Sequence, residues 1–159
     1  MFLELLKECS YMASGAYYAE STLGYGLPAE LRFRASREPR ALCLSGTYYH
    51  HAGTPENPFN VRFLFDAENV GRAEFLLDAS PLGTIQGSGA FLGGLYSFAG
   101  KGESSDSYCG FTIHMLKPEV LELTGVVCTL EKKSFAFALK VLPDDPSIAR
   151  ANVVSIRRS

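Results

Sequence analysis

The chain has 159 residues, 47% of them hydrophobic and 20% charged, which predicts one folded domain with a substantial core. Its formal net charge of −2 gives no electrostatic reason to expect a nucleic acid or an anionic membrane as partner. No segment approaches the roughly 18 consecutive apolar residues that a membrane-spanning helix requires.

The first residues and the cysteines favour a cytoplasmic protein. Charged residues interrupt the apolar ones in "MFLELLKECSYM" (1–12), whereas a signal peptide contains an unbroken apolar run. Cys9, Cys43, Cys109 and Cys128 lie far apart without a CxxC pair, so we expect reduced thiols.

Apolar residues at helical spacing predict a short amphipathic helix over residues 1–13. We therefore expect residues 1–28 to form an N-terminal helix and lead-in segment, and residues 29–159 to form a single β domain.

Nearly every segment after Pro28 has the pattern of a strand. In "AELRFRAS" (29–36), apolar residues alternate with Glu and Arg. Similar alternation in later segments predicts further inward-facing residues, namely Val61, Phe63, Phe65, Ala73, Phe75, Leu77, Cys109, Phe111, Ile113, Met115, Phe135, Phe137, Leu139 and Val141.

The segment from Phe59 to Asp78 predicts a hairpin. Residues 67–69 would form a three-residue loop with Asn69 in the left-handed conformation, and Arg62 would face Glu74 across the strands.

About ten short strands follow if "RANVVSIRR" (150–158) adds the last one. Such a series predicts an antiparallel meander, closed as a barrel or folded as a sandwich.

Three similar pentapeptides occur along the chain: "SGAYY" (14–18), "SGTYY" (45–49) and "SGAFL" (88–92). They start 31 and then 43 residues apart, so they are not a repeat unit. Because glycine within a strand marks a bend, a bulge or a close backbone approach, we interpret each copy as a place where a strand curves.

The stretch "GTIQGSGAFLGGLYSFAGKG" (83–102) matches neither phosphate-binding motif, since Leu95 and Leu92 stand where those motifs need glycine. Within it, "IQGSGAFLGGLYSFAG" (85–100) resembles the glycine segment of allene oxide cyclase and dirigent-type barrels. The resemblance implies an eight-stranded antiparallel, calycin-like barrel with an apolar lumen, commonly trimeric, with a backbone role for Gly87, Gly89 and Gly93. It assigns no catalytic residue.

The histidines do not predict a metal site. His50 and His51 are adjacent, so in a strand they would point to opposite faces, and His114 alternates with the apolar face of its segment. The sequence therefore predicts neither a metal nor a cofactor.

The cysteines and arginines have structural explanations. Cys109 shares a face with Phe111, which favours packing in the core. Arg32, Arg34, Arg37 and Arg40, with Arg157-Arg158 near the end, could bind an anion, but a solvated strand face is favoured.

We predict a small non-catalytic barrel of about 8–10 strands that holds an apolar or aromatic molecule in its lumen. The expected ligand-binding residues are Tyr48, Tyr96, Tyr108, Phe63 and Phe111. Small residues around Gly87 and Gly89 would leave space for the ligand.

Two other functions remain open. The first is an interaction module whose lumen is filled by phenylalanines, and the second is an isomerase- or cyclase-type barrel. Apolar residues predicted on outer faces, namely Leu64, Leu76, Ala136 and Ala138, lead us to expect a homo-oligomer.

Overall fold

Ten strands form one closed barrel in the computed structural model, which describes residues 6–20, 24–49, 56–69, 71–80, 82–103, 106–117 and 120–144. The strands are β1 (Ser10–Ala19), β2 (Leu27–Glu38), β3 (Ala41–Tyr49), β4 (Asn57–Phe65), β5 (Arg72–Ala79), β6 (Gly83–Leu92), β7 (Leu95–Gly102), β8 (Tyr108–Lys117), β9 (Val120–Cys128) and β10 (Ser134–Pro143). Each pairs antiparallel with its sequence neighbours, and β10 pairs with β1 to close the barrel. The predicted all-β antiparallel barrel is confirmed.

The described N-terminal residues contain no α-helix, so the helix prediction is wrong where it can be assessed. Strand β1 begins at Ser10 and pairs with both β2 and β10, and this pairing overrides the helical spacing of the apolar residues. The barrel consequently begins at Ser10 rather than at residue 29. Residues 1–5, and the strand expected over 150–158, lie outside the described residues.

The meander gives the barrel two distinct ends. At the upper end, as we call it, β1 connects to β2, β3 to β4, β5 to β6, β7 to β8 and β9 to β10. The lower end carries the other connections together with the strap, residues Leu6–Cys9, which precedes β1. The described part of the chain contains no helix that could span a membrane.

The β4–β5 hairpin forms as predicted, but its register is shifted. Arg62 lies opposite Leu76, and Glu74 lies opposite Leu64. The shift is two residues, which leaves each side chain on its predicted face because side chains alternate with a period of two. Arg62 instead donates a hydrogen bond to Glu38, with 2.9 Å from Nη2 to Oε2.

The loop of this hairpin is longer than predicted and uses side-chain acceptors. Oδ1 of Asp66 accepts hydrogen bonds from the backbone N–H of Glu68 at 2.9 Å and of Asn69 at 3.3 Å. Asn69 Oδ1 in turn accepts one from Gly71 N–H at 3.1 Å. Asn69 is not in the left-handed conformation, because these hydrogen bonds turn the chain without it.

The three Ser-Gly pentapeptides share a close approach to a neighbouring strand. A Cβ atom added to Gly15 would collide with the carbonyl oxygen of Ala138, and one added to Gly89 would collide with that of Ser97. At Gly46, an added Cβ would meet the carbonyl oxygen of Arg32 and would lie 2.6 Å from the Cα of the following residue. Only glycine fits at these positions, so each pentapeptide is a place of close backbone approach, and strand curvature there stays a prediction.

Candidate functional site

A phenylalanine cluster fills the lumen on one side of the barrel, and we call this side the filled half. The cluster consists of Phe63 on β4, Phe75 on β5, Phe98 on β7 and Phe111 on β8. All six pairs of rings are in contact, with centroids between 5.1 and 6.4 Å apart. Phe63 and Phe75 are only 1% exposed. Tilted and edge-on ring pairs of this kind add stability beyond their burial, so this half of the barrel is a packed core.

The glycines of β6 and β7 make room for these rings and not for a ligand. A Cβ atom at Gly100 would lie 2.8 Å from Phe75 Cζ, and one at Gly89 would collide with the ring of Phe98. At Gly87 it would meet the backbone of β7. The expectation that Gly87 and Gly89 leave ligand space is therefore wrong, because neighbouring rings and backbone already occupy it.

The other half of the lumen is an open cavity of about 390 Å³, which lies within the range of about 300–1,000 Å³ typical of small-molecule sites. Its wall is almost entirely aliphatic and aromatic, and β2, β3, β4, β8, β9 and β10 all contribute to it. Representative wall residues are Leu31, Phe59, Ile113, Leu123, Val127 and Phe137. Most of these side chains point inward but are only half-buried, because they face the cavity and not other side chains.

Aromatic side chains surround the mouth of the cavity at the upper end. Tyr17 and Phe135 form one pair with ring centroids 6.2 Å apart, and Tyr48 and Phe59 form another at 6.5 Å. Each ring can present an apolar face to the cavity, and the two tyrosines add hydroxyl groups near its upper end. This arrangement suits a ligand that is apolar along its length and polar at one end.

The charged residues that border the cavity, among those the structure describes, lie at its rim. Glu131 and Lys133 lie in the exposed β9–β10 turn, 3.5 Å apart from Oε2 to Nζ. Glu30 lies at the rim of β2, where the Tyr49 hydroxyl donates a hydrogen bond to it and Arg32 contacts it at 2.5 Å. The hydrogen bond from Tyr49, followed by that from Arg32, lowers the pKa of Glu30, so this carboxylate stays ionised outside the lumen.

Tyr48 and Cys109, which line the cavity, are neutral at physiological pH. Burial raises the pKa of Tyr48 to about 12 and that of the Cys109 thiol to about 11. Among the described residues that line the cavity below its rim, none is a carboxylate, a histidine, a lysine or an arginine. The described interior therefore offers an uncharged, weakly polar environment.

Three of the five predicted ligand-binding residues border the cavity: Tyr48, Phe63 and Phe111. Tyr96 is buried in the filled half of the lumen, where its ring stacks on Phe91 at 4.6 Å. Tyr108 points outward and is 46% exposed, because it precedes the inward-facing Cys109 on the same strand. Tyr96 and Tyr108 are therefore not placed to contact a molecule in the cavity.

Several wall residues were not anticipated as ligand contacts. The sequence alternation on β10 already predicted that Phe135 and Phe137 face inward, so it could have identified them as ligand contacts. Leu6 carries no such signal, because its segment had the spacing of a helix and is in fact the strap at the lower end.

The other candidate sites have structural roles or lie outside the described residues. His114, Arg32 and Arg34 are exposed, and Cys109 is buried in the core. Within the described ranges, no three histidine, cysteine or carboxylate side chains converge as metal ligands. His50 and His51 lie outside these ranges.

Comparison with known proteins supports the architecture alone. No protein-family model matches the sequence, and no curated protein matches it. Among solved structures, the barrel is similar to the S-type phycobiliprotein lyase CPES from Guillardia theta, with a TM-score of 0.66 and 8% identity over 91% of each chain. Fold and cavity together define an antiparallel β-barrel with a half-filled, half-open apolar lumen.

Proposed function

We propose that this protein binds an apolar small molecule in the open half of its lumen without changing it chemically. One observation carries the proposal: a cavity of about 390 Å³ has a nearly continuous apolar wall and opens at one end. An apolar molecule that enters such a cavity leaves water and contributes about 25 cal/mol for each Å² of apolar surface buried. A charged molecule would have to lose its hydration without meeting a compensating charge among the described lumen residues.

The similar Guillardia theta barrel is by its name a phycobiliprotein lyase, and at 8% identity it supports only the barrel architecture on which this proposal is built. A catalytic alternative of the isomerase or cyclase type would require an acid or a base in the lumen. Tyr48 and Cys109 stay protonated at neutral pH, so neither accepts a proton, and their raised pKa values also make them weak proton donors. The described residues thus favour binding over catalysis.

A titration with the uncharged fluorophore N-phenyl-1-naphthylamine tests the proposal. The probe should gain fluorescence with saturable stoichiometry in the wild-type protein. Ala29→Trp places an indole in the cavity wall and should abolish this binding, whereas Ala99→Trp, on the exposed face of β7, should not. Absence of saturable binding to the wild-type protein, or equal binding by both variants, would refute the proposal.

We also propose that the barrel forms a homo-oligomer. Leu64 and Leu76, on the adjacent strands β4 and β5, lie on the outer face and are 43% and 46% exposed. A second copy of the chain could cover these side chains, since exposed apolar residues on a sheet face favour association. Size-exclusion chromatography with light scattering should give a mass above that of one chain; a strict monomer would refute this and would weaken the interaction-module alternative.

The thiols support a reducing location. All four cysteines are free, including the half-buried Cys9 and Cys43 and the buried Cys109 and Cys128. Reduced cysteines are the usual state in the cytoplasm, which is the location that we propose. Fractionation of the native cells should recover the protein with cytoplasmic markers and with four titratable thiols after denaturation.

A further inference from the structure

The strap forms the floor of the cavity at its lower end. The Leu6 side chain is 2% exposed, packs into the core and borders the cavity. Every other strap residue is exposed or half-buried, so Leu6 is the strap residue that is buried within the barrel.

Hydrogen bonds hold Leu6 in place. The Arg37 guanidinium donates to the Leu6 carbonyl oxygen, at 2.6 Å from Nη2 and 3.2 Å from Nε. Tyr11 fixes Lys7 from inside the barrel, because its hydroxyl accepts from Lys7 N–H at 2.8 Å and donates to Lys7 C=O at 3.1 Å. Ala35 N–H donates to the carbonyl of Cys9 at 3.0 Å. These contacts join the strap to the neighbouring strands β1 and β2.

The cavity above this floor is long. Strand β10 alone contributes four successive inward residues to its wall, from Phe135 near the mouth to Val141 near the floor. At about 3.3 Å per residue these positions span about 20 Å of strand, or about 15 Å along the barrel axis for a strand tilt of about 40°. Such a depth accommodates an extended chain that runs from the rim to Leu6.

We propose that the ligand is an elongated molecule with a straight apolar chain, and that Leu6 sets the maximum chain length. This inference rests on the proposed function and specifies its ligand class. A chain gains affinity with each methylene that enters the cavity, by about fourfold per methylene. The gain ends when the terminal methyl group reaches the Leu6 side chain.

Displacement of N-phenyl-1-naphthylamine by straight-chain alcohols, from hexanol to tetradecanol, tests the inference. Affinity for the wild-type protein should rise with chain length and then level off. Leu6→Ala should move this plateau to chains longer by about two or three methylenes, and Leu6→Phe should move it to shorter chains. Leu42→Ala is the matched control, since Leu42 is fully buried at the lower end of β3 but does not border the cavity.

The outcomes separate the two proposals. A plateau at the same chain length in the wild-type protein and in both Leu6 variants would refute the role of Leu6 while leaving ligand binding intact. If the wild-type protein binds neither the fluorophore nor any alcohol, the proposed function itself is refuted. Leu6→Phe keeps the test decisive if Leu6→Ala fails to fold, because it changes the floor in the opposite direction.

Discussion

Substitution of Gly46 by alanine tests whether the Ser-Gly elements are required for closure of the barrel. In the second pentapeptide, an added Cβ would collide with the Arg32 carbonyl oxygen and lie 2.6 Å from Phe33 Cα. Both atoms belong to the backbone of β2, and neither can move as a side chain would. Ordinary contact begins near 3.4 Å, so the paired strands would have to separate by at least about 0.8 Å.

The size of the effect follows from this geometry. Overpacking of a well-filled site costs typically about 1–3 kcal/mol, and a clash with backbone belongs at the upper end or beyond, so we expect a loss of about 3 kcal/mol or more. Gly110→Ala is the matched control on β8, because its Cβ would find its nearest neighbour at 3.8 Å. Alanine at this position lowers the conformational entropy of the unfolded chain and causes no clash in the folded state. It should therefore stabilise the fold by about 0.4–1 kcal/mol.

Urea denaturation and thermal melting would measure both changes. For a chain of this size, about 1 kcal/mol corresponds to about 2–4 °C in Tm. Gly46→Ala should therefore melt at least about 6 °C below the wild-type protein, and Gly110→Ala should melt at the same temperature or slightly above it. If Gly46→Ala were as stable as Gly110→Ala, the curvature interpretation would be wrong.

Three further predictions concern titration, turn geometry and the core. Because burial raises the pKa of Cys109 from 9.0 to about 11, the unfolded state loses this proton first as pH rises. The stability difference between the wild-type protein and Cys109→Ala should fall by about 2 kcal/mol between pH 9 and 11, as followed by urea denaturation. Arg40 has a φ of 61°, so Arg40→Gly should relieve left-handed strain and raise the urea midpoint by the equivalent of about 0.5–1 kcal/mol. Phe75→Ala should cost about 3–5 kcal/mol, because it removes one ring of the phenylalanine cluster.

Each of these predictions has a contradicting result. A parallel pH profile for the wild-type protein and Cys109→Ala would show that the thiol is not desolvated. A lower midpoint for Arg40→Gly would mean that the arginine side chain contributes more than its backbone conformation costs. A loss below about 1 kcal/mol for Phe75→Ala would show that the cluster is loosely packed.

Much of the barrel could be predicted because strands with one buried face alternate with a period of two. That rule placed Cys109, Phe111 and Phe137 inward, as found. It also implied that Tyr108, next to Cys109, points outward, so its assignment to the ligand site contradicted the pattern itself. The local rule was sound, and the error lay in choosing ligand contacts by residue type.

Neither the register between β4 and β5 nor the N-terminal strap could be derived from the spacing of apolar residues in the sequence. A shift of two residues between β4 and β5 leaves every side chain on its face, so Arg62 opposite Leu76 fits the alternation as well as Arg62 opposite Glu74. The spacing of Leu6 and Cys9 suits a helix when taken alone. Only the pairing of β1 with both β2 and β10 determines that the chain is extended from Ser10.

The division of the lumen depends on three-dimensional packing. The phenylalanine cluster lies on one side because glycines on the neighbouring strands, such as Gly89 and Gly100, admit its rings. No periodicity distinguishes a phenylalanine that fills space from one that borders a cavity. Phe75 and Phe111 have the same alternation, yet only Phe111 lines the open half.

Native mass spectrometry of the protein isolated from the cells that naturally make it tests ligand binding most directly. The account predicts an additional mass that remains with the folded chain and is released on denaturation, and whose fragments identify a molecule with a straight apolar chain. The same preparation, stripped and returned to that molecule, should regain the mass with one equivalent per barrel. A bare polypeptide mass before denaturation, together with no uptake of straight-chain alcohols by the folded protein, would contradict it.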